Sequence, residues 1–281
     1  MEDCSMNNQY SVLMSVYARD NPRYLGAAID SILGQTLKAA EIVLVCDGPL
    51  TRELDQVIGR YEEHLRVVRL PRNQGLGAAL SQGLGQCSCE WVARMDSDDI
   101  SASNRCARQM EYLQAHPDVD VLSGTLAEFE GGALTGAEAR NQVISYKCLP
   151  TDHQAVGRYI RRRNPVNHPC VMFRKSRVQQ AGGYQPCPLF EDYDLWVRMY
   201  LDQCHFANLE ETLLYMRVDG MHRRRGGIPY VRANVNFWTR MYRRRMISPV
   251  EYLGTVVVRC AVSLMPNSLR RLVYEKKLRR L

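Results

Sequence analysis

A chain of 281 residues with 46% hydrophobic and 24% charged residues has an ordinary globular composition, long enough for one large domain with an extension. It has no uninterrupted apolar stretch of about 18 residues, which argues against a spanning helix. Its ten cysteines are scattered without a CxxC pair or a zinc-like Cys/His spacing, which points to free thiols rather than a disulfide framework.

The opening, MEDCSMNNQYSVLMSVYARD, is acidic and polar before a short strand-like run, unlike a secretion signal. Net charge is +7 but unevenly placed. From Arg217 onward sixteen Lys/Arg face three acids (Asp219, Glu251, Glu275), a net +13 that leaves −6 for residues 1–216. A basic tail on an acidic body points to an anionic partner: phosphates, a lipid surface or nucleic acid. The plainer reading is a solvated basic tail.

In chain order, YSVLMSVY (10–17) reads as a strand, and 22–36 has helical spacing at Leu25, Ile29, Ile32 and Leu33. EIVLVCDG (41–48) reads as a second buried strand. Residues 51–65 read as a helix capped by Thr51, then RVVRL (66–70) as a third strand and 75–85 as a helix. EWVARMD (90–96) is a fourth strand, followed by a helix from about Ser103 to Ala115 and a fifth strand at 118–125. This alternation predicts a mostly parallel sheet with helices on both faces, an α/β fold. Beyond it, 128–141 reads as a turn or hairpin, 168–176 as a strand leading to a helix that ends near Gly182-Gly183, 189–201 as a helix and 207–218 as a last strand. Residues 230–281 read as basic helices.

Several stretches bear on chemistry. Gly75-x-Gly77, with Asp96 about 20 residues on, approximates a dinucleotide fingerprint. Such a fingerprint belongs on the first strand–helix turn, whereas this one follows the third strand, so glycines easing the entry to a short helix explain it better. ARMDSDD places Asp96, Asp98 and Asp99 at a strand's carboxyl end. A turn or helix cap accounts for one of them, not three. An EF-hand fails, lacking glycine at the sixth position and glutamate at the twelfth. A D-x-D pair there suits Mg²⁺ or Mn²⁺ shared with a diphosphate, and Asp99 is expected to turn towards the following helix. Asp47 ends the second strand and reads either as a turn residue with Gly48 or as an acceptor for a base or ribose. In FEDYDLW (190–196) Glu191, Asp192 and Asp194 crowd among aromatics. Helix-dipole preference accounts for the acids but not the rings. A carboxylate beside rings has the raised pKa of a general base, and Trp196 offers a face for a sugar. RVDGMHRRRGG (217–227) is by itself a solvated loop, or beside a diphosphate a clamp.

Taken together these motifs resemble the family-two inverting nucleotide-sugar glycosyltransferases of the GT-A fold, in order and spacing, over residues 10–218. The nearest flavour is the bacterial enzymes of O-antigen, capsule or exopolysaccharide assembly. The resemblance implies a catalytic domain over 1–218, with about 1–125 binding a nucleotide sugar and 126–218 the acceptor, and a basic extension over 219–281. It implies that Tyr17, Asp47, Asn73, Gly75, Asp96 and Ser97 surround the donor, a UDP-hexose. It implies Asp98 and Asp96 as ligands of Mn²⁺ or Mg²⁺, with His222 as a further one, and Arg223, Arg224 and Arg225 on the diphosphate. Asp192 would be the base, Glu191 would position acceptor or base, and Trp196 would contact the acceptor. The first strand departs from the pattern, ending VYARDNP where an Asn often follows the Tyr directly.

The tail 248–281 alternates apolar patches with Arg and Lys, the pattern of a basic amphipathic helix on a membrane surface. This predicts an undecaprenyl-diphosphate-linked sugar acceptor met at the cytoplasmic face of a bacterial inner membrane, by a peripherally attached enzyme. The plainer reading is helices packed on the catalytic domain. Two rival classes remain. A nucleotidyltransferase would want a glycine-rich, basic loop after the first strand, where YARDNP stands. A nucleic-acid-binding protein is permitted by the arginines, but the acidic motifs would repel a phosphate backbone, so nucleic acid is not an expected partner.

Overall fold

The structure is a computed structural model in which residues 9–219 and 227–265 are described. The first half alternates as its periodicity dictates. Strands β1 (Tyr10–Val16), β2 (Glu41–Cys46), β3 (Leu65–Arg69) and β4 (Trp91–Met95) alternate with helices α1 (Pro22–Leu33), α2 (Arg52–Arg60) and α3 (Leu76–Gln86). Caps set the helix starts. The Asn21 side chain accepts the Arg23 N–H with Pro22 opening the helix, and Thr51 accepts from Leu54. Helix α2 is shorter than its sequence pattern suggests. It stops at Arg60, and 62–64 form one 3₁₀ turn, because Leu65 is already paired with Ile42 in the sheet.

Next come β5 (Ile100–Ser101), α4 (Arg105–Ala115), β6 (Val119–Phe129), α5 (Gly136–Asn141), β7 (Val143–Lys147), α6 (His153–Tyr159), β8 (Met172–Arg174), α7 (Lys175–Gln180), α8 (Glu191–Leu201) and β9 (His205–Arg217). Two further helices, α9 (Gly227–Arg243) and α10 (Pro249–Leu264), form a hairpin. The region expected as a turn or hairpin is one in outline, since β6 and β7 pair antiparallel with α5 in their connection. The strand read at 168–176 shrinks to three residues, because His168–Cys170, with Pro169 lacking an N–H, forms a 3₁₀ turn and α7 begins at Lys175.

The sheet runs β3-β2-β1-β4-β8-β6-β9-β5, with β7 beside β6. Its first four strands are parallel, and β8 enters antiparallel between β4 and β6. Alternate residues feed two cores. Leu13, Val43, Val45 and Val92 face α3, α8 and α9, while Val12, Met14, Leu44 and Met95 face α1, α2 and α4. The described helices of the 219–281 region are part of the first core, since Phe237, Trp238 and Met241 are fully buried there. The described cysteines are all free. Among the described residues no helix is long and apolar enough to cross a membrane.

Candidate active site

The register pairs Val16 with Cys46 and Met14 with Met95, so β1, β2 and β4 end at one edge of the sheet. Each strand hands a polar residue to that edge. Tyr17 follows β1, Asp47 follows β2, Asn73 and Gly75 follow β3, and Asp96, Ser97 and Asp98 follow β4. All seven line a single cleft of about 460 Å³. The carboxyl edge of a parallel sheet is where open α/β folds place ligands.

Asp47 is buried, and its carboxylate accepts the Gln74 N–H at 2.7 Å and the Gly75 N–H at 2.9 Å. Asn73 Nδ2 donates to the Asp47 carbonyl at 3.3 Å. The acid therefore pins the loop that starts α3. Gly48 lets the two loops touch: at φ +90°, a Cβ there would lie 2.6 Å from the Asn73 nitrogen.

The aspartate cluster divides by partner. Asp96 forms an ion pair with Arg94, whose side chain is 1% exposed. The Ser97 hydroxyl donates to Asp20 at 2.8 Å, and Asp20 also accepts the Tyr17 N–H at 3.1 Å, tying the first loop to the fourth. Asp99 is fully buried and turns to β9 rather than to the following helix, accepting the Arg217 N–H at 2.8 Å. The physical reason is the short β5–β9 pairing, which lays Arg217 against the aspartate loop. Burial, then the charges of Asp96 and Asp20, push the Asp98 carboxyl up to about 6. Burial, then the charges of Asp98 and Asp96, hold Asp99 well above the usual carboxylate range. This excess of negative charge wants a cation.

Among the described residues no group of three or more His, Cys, Asp or Glu is arranged to hold an ion. Two carboxylates, Asp98 and Asp96, are nevertheless the donor set expected of a Mg²⁺ or Mn²⁺ ion whose remaining ligands are phosphate oxygens and water. The residues present fit that group. His222, Arg223, Arg224 and Arg225 lie outside the described residues.

Arg217, which in the sequence only opens the basic stretch 217–227, organises the cleft wall. It lies 3.6 Å over the Tyr24 ring, donates to the Asp98 carbonyl at 3.1 Å and to the Ala133 carbonyl at 2.7 Å, and also bonds the Gly131 carbonyl. Arg94 was visible as the one charge inside the apolar run WVARM, but its partners were not. Besides Asp96 it acts electrostatically on Tyr184, Asp192 and Glu191. It thus links the cleft to α8.

Glu191 and Asp192 open α8, which begins beside α3. A Cβ on Gly77 would sit 3.3 Å from the Glu191 Cβ, so the second glycine of the false fingerprint serves close packing rather than a phosphate. Gly75 and Leu76, just before it, line the cleft. The Asp192 carboxylate accepts from Asn164 Nδ2 at 2.6 Å. Burial raises its pKa, partly offset by the Tyr193 N–H and Asn164. Burial and the Asp192 charge raise that of Glu191, whose Oε2 has no hydrogen-bond partner. Asn164, between Arg163 and Pro165, carries no sequence signal of this contact.

Two members of this motif have other duties. Trp196 is 0% exposed and packs edge-on to His168 and Phe206 and against Phe173, so it offers no face to an acceptor sugar. The expectation of a sugar platform fails because Trp196 lies on the stripe of α8 that meets the sheet. Asp194 is also 0% exposed and is ringed by Arg244 at 2.6 Å, Arg198 at 3.0 Å and Arg240 at 3.7 Å, which fasten α8 to α9. Burial opposes its charge, but the arginines outweigh that and hold its pKa below the usual range.

A larger cavity of about 760 Å³, lined by α1, β5 and α5, shares no residue with the cleft. Its Asp30 and Arg140 are engaged with the hydroxyls of Tyr61 and Tyr215. The smaller cleft, which gathers Asp47, Asp96, Asp98 and Asp99, is the candidate site.

A family model described as Glycosyl transferase family 2 matches residues 11–175. An uncharacterized glycosyltransferase of Haemophilus influenzae is 36% identical, over 97% of this chain and 100% of its own. The UDP-Gal:alpha-D-GlcNAc-diphosphoundecaprenol beta-1,3-galactosyltransferase of Escherichia coli is 34% identical over 97% of each chain. The amylovoran biosynthesis glycosyltransferase AmsE of Erwinia amylovora is 35% identical over 95% of this chain and 98% of its own. Among solved structures, TarS 1-349 of S. aureus superposes with a TM-score of 0.60 at 17% identity, covering 93% of this chain and 68% of that one. The mannosyltransferase PcManGT of Pyrobaculum calidifontis, in complex with GDP-Man and Mn2+, gives 0.63 at 14%, covering 98% and 77%.

Proposed function

The chain belongs to glycosyl transferase family 2, with the GT-A fold, and from that premise we propose that it transfers a hexose from a UDP-sugar to a sugar–diphosphate–lipid acceptor, with inversion. The observation that carries this reading is the convergence of Asp47, Asn73, Gly75, Asp96 and Asp98 on one cleft, with the half-buried carboxylate of Asp192 on the adjoining helix. The undecaprenol-linked acceptor is suggested by the Escherichia coli relative, whose name specifies UDP-Gal and a GlcNAc-diphosphoundecaprenol.

In the proposed reaction Asp192 accepts the proton of the acceptor hydroxyl, whose oxygen attacks the anomeric carbon from the face opposite the leaving group. The new C–O bond forms as the bond to the nucleoside diphosphate breaks, turning an α-linked donor into a β-linked product. Raised basicity suits Asp192 to the task, and Asn164 orients its carboxylate. Glu191 positions the acceptor. Tyr17, Asp47, Asn73, Gly75 and Ser97 shape the donor pocket, Asp47 by holding the loop before α3. Asp98 and Asp96 would hold a Mn²⁺ or Mg²⁺ ion, which supplies neutralisation of the leaving diphosphate. His222 as a further ligand and Arg223, Arg224 and Arg225 as a diphosphate clamp belong to the same proposal. The acceptor would be met at the cytoplasmic face of a bacterial inner membrane during surface-polysaccharide assembly.

The test is a screen of radiolabelled UDP-hexoses, UDP-galactose first, against a synthetic GlcNAc–diphosphate–lipid, with and without Mn²⁺. Metal-dependent transfer that Asp98→Ala and Asp192→Ala each abolish while still folding is the expected result. Full activity in Asp192→Ala would remove it as the base.

A further inference from the structure

The hairpin of α9 and α10 leaves an apolar face uncovered. Val250, Leu253, Val257, Val258 and Leu264 of α10 are 58–81% exposed. At 100° per residue they share one side of the helix. The opposite side is the packed one. Tyr252 stacks on Tyr242 of α9 with ring centroids 5.4 Å apart and hydrogen-bonds Thr239, Arg259 lies 4.8 Å over the Trp238 ring, and Ser263 is buried. The apolar stripe is therefore presented outward by a helix whose other side is already occupied.

The rim of this face is basic, and part of it comes from a distant segment. Arg161 pairs with Glu251 at 2.8 Å, and Arg259 donates to the Arg162 carbonyl at 2.9 Å, which seats 161–163 along the flank of α10. Arg161, Arg162 and Arg163 are exposed, as are Arg243 and Arg245 at the end of α9 and just beyond it. A five-residue apolar stripe edged by exposed arginines, of which Arg161 is paired with Glu251, complements a surface with apolar depth and anionic headgroups. No described helix can cross a membrane, so the helix would lie in the interface.

The same segment reaches the acceptor side of the site. Asn164, next to Arg163, holds Asp192, and Tyr193 donates to the Ile160 carbonyl at 2.6 Å. We propose that the outward face of α10, edged by Arg161–Arg163, is the docking surface for an anionic lipid bilayer, and that docking there brings the Asn164–Asp192 end of the site to the membrane. This builds on the lipid-linked acceptor proposed above and names the surface that meets its membrane.

The experiment is co-sedimentation of the full chain with phosphatidylglycerol-rich vesicles, with phosphatidylcholine vesicles as control and no donor or acceptor present. Wild type should bind the anionic vesicles and release at high salt. Leu253→Asp/Val257→Asp should lose binding by more than about tenfold, with its circular dichroism and its transfer to a short, soluble acceptor unchanged. Arg162→Glu/Arg163→Glu, which leaves the apolar stripe intact, should weaken binding by roughly tenfold or more and flatten the salt dependence. Equal binding by wild type and both variants, or none by wild type, overturns the proposal. A wild-type dimer that Leu253→Asp/Val257→Asp dissociates, without vesicle binding, overturns it in favour of a second copy on the stripe. Because the assay needs no sugar substrate, a failed acceptor screen leaves its result standing, and failed sedimentation leaves the acceptor reading standing.

Discussion

Asn164 Nδ2 lies 2.6 Å from Asp192 Oδ2, a hydrogen bond between a loop and the first turn of a helix 28 residues later. A donor on a carboxylate favours its charged form, so this contact opposes the burial that raises the Asp192 pKa. Asn164→Ala should therefore raise that pKa further and move the acid limb of the kcat/KM profile to higher pH. Asp192→Asn should cost about 10²–10⁴ in kcat. A pH–rate series on both variants checks this, and an unmoved limb in Asn164→Ala would count against Asp192 as the titrating base.

Burial and the charges of Asp96 and Asp20 push the Asp98 carboxyl up to about 6. An unfolded aspartate titrates near 3.9, so the folded state binds the proton more tightly. Its contribution to stability is gained as pH falls through about 6 and is complete below about 4; at neutral pH the charged form is a cost. Asp98→Asn should accordingly raise the melting midpoint in chelator at about pH 7.5, lose that advantage towards about pH 4, and abolish transfer. Paired melting curves across this range decide it, and a lower midpoint for the variant at neutral pH would contradict it.

Arg217 supplies side-chain bonds to three carbonyls on two loops. Arg217→Lys keeps the charge but loses the planar fork. We expect a stability loss on the order of 3 kcal/mol by urea titration, as for a disrupted buried charge network. The donor KM should rise because the aspartate loop is loosened, while the acceptor KM stays near wild type. Equal changes in both KM values would point to general loosening.

Trp196→Phe separates core packing from sugar contact. With the ring fully buried and Nε1 without a partner, the substitution should cost on the order of 1–2 kcal/mol and leave the acceptor KM unchanged. A large rise in acceptor KM at normal stability would restore the platform role.

The first four strands were legible because each is an apolar run bounded by turn residues, and their carboxyl ends then located Asp47, Asp96 and Asp98. What escaped were partnerships across long separations. Arg94 stands beside Asp96 in sequence, but Tyr184, Glu191 and Asp192 reach it from about 90 residues away. Arg217 meets Asp98 and Asp99 across 119 and 118 residues. The acids and rings of FEDYDLW show composition, not which side of the helix turns inward, so Trp196 read as a binding face and Asp194 as one more acid of a cluster. The edge pairing of β5 with β9 rests on two residues, too few for any periodicity to show.

Asp194 has a consequence for how the molecule comes apart. Its carboxylate is out of water and is balanced by Arg240 and Arg244 of the C-terminal hairpin as well as by Arg198. A chain cut before Gly227 would keep the helix bearing Asp192 but strand a buried anion with one counter-charge instead of three. Phe237 and Trp238 leave with the same cut and open the core beneath. The sheet and the terminal hairpin should thus melt in a single cooperative transition, and a shortened version should emerge from expression as inclusion bodies.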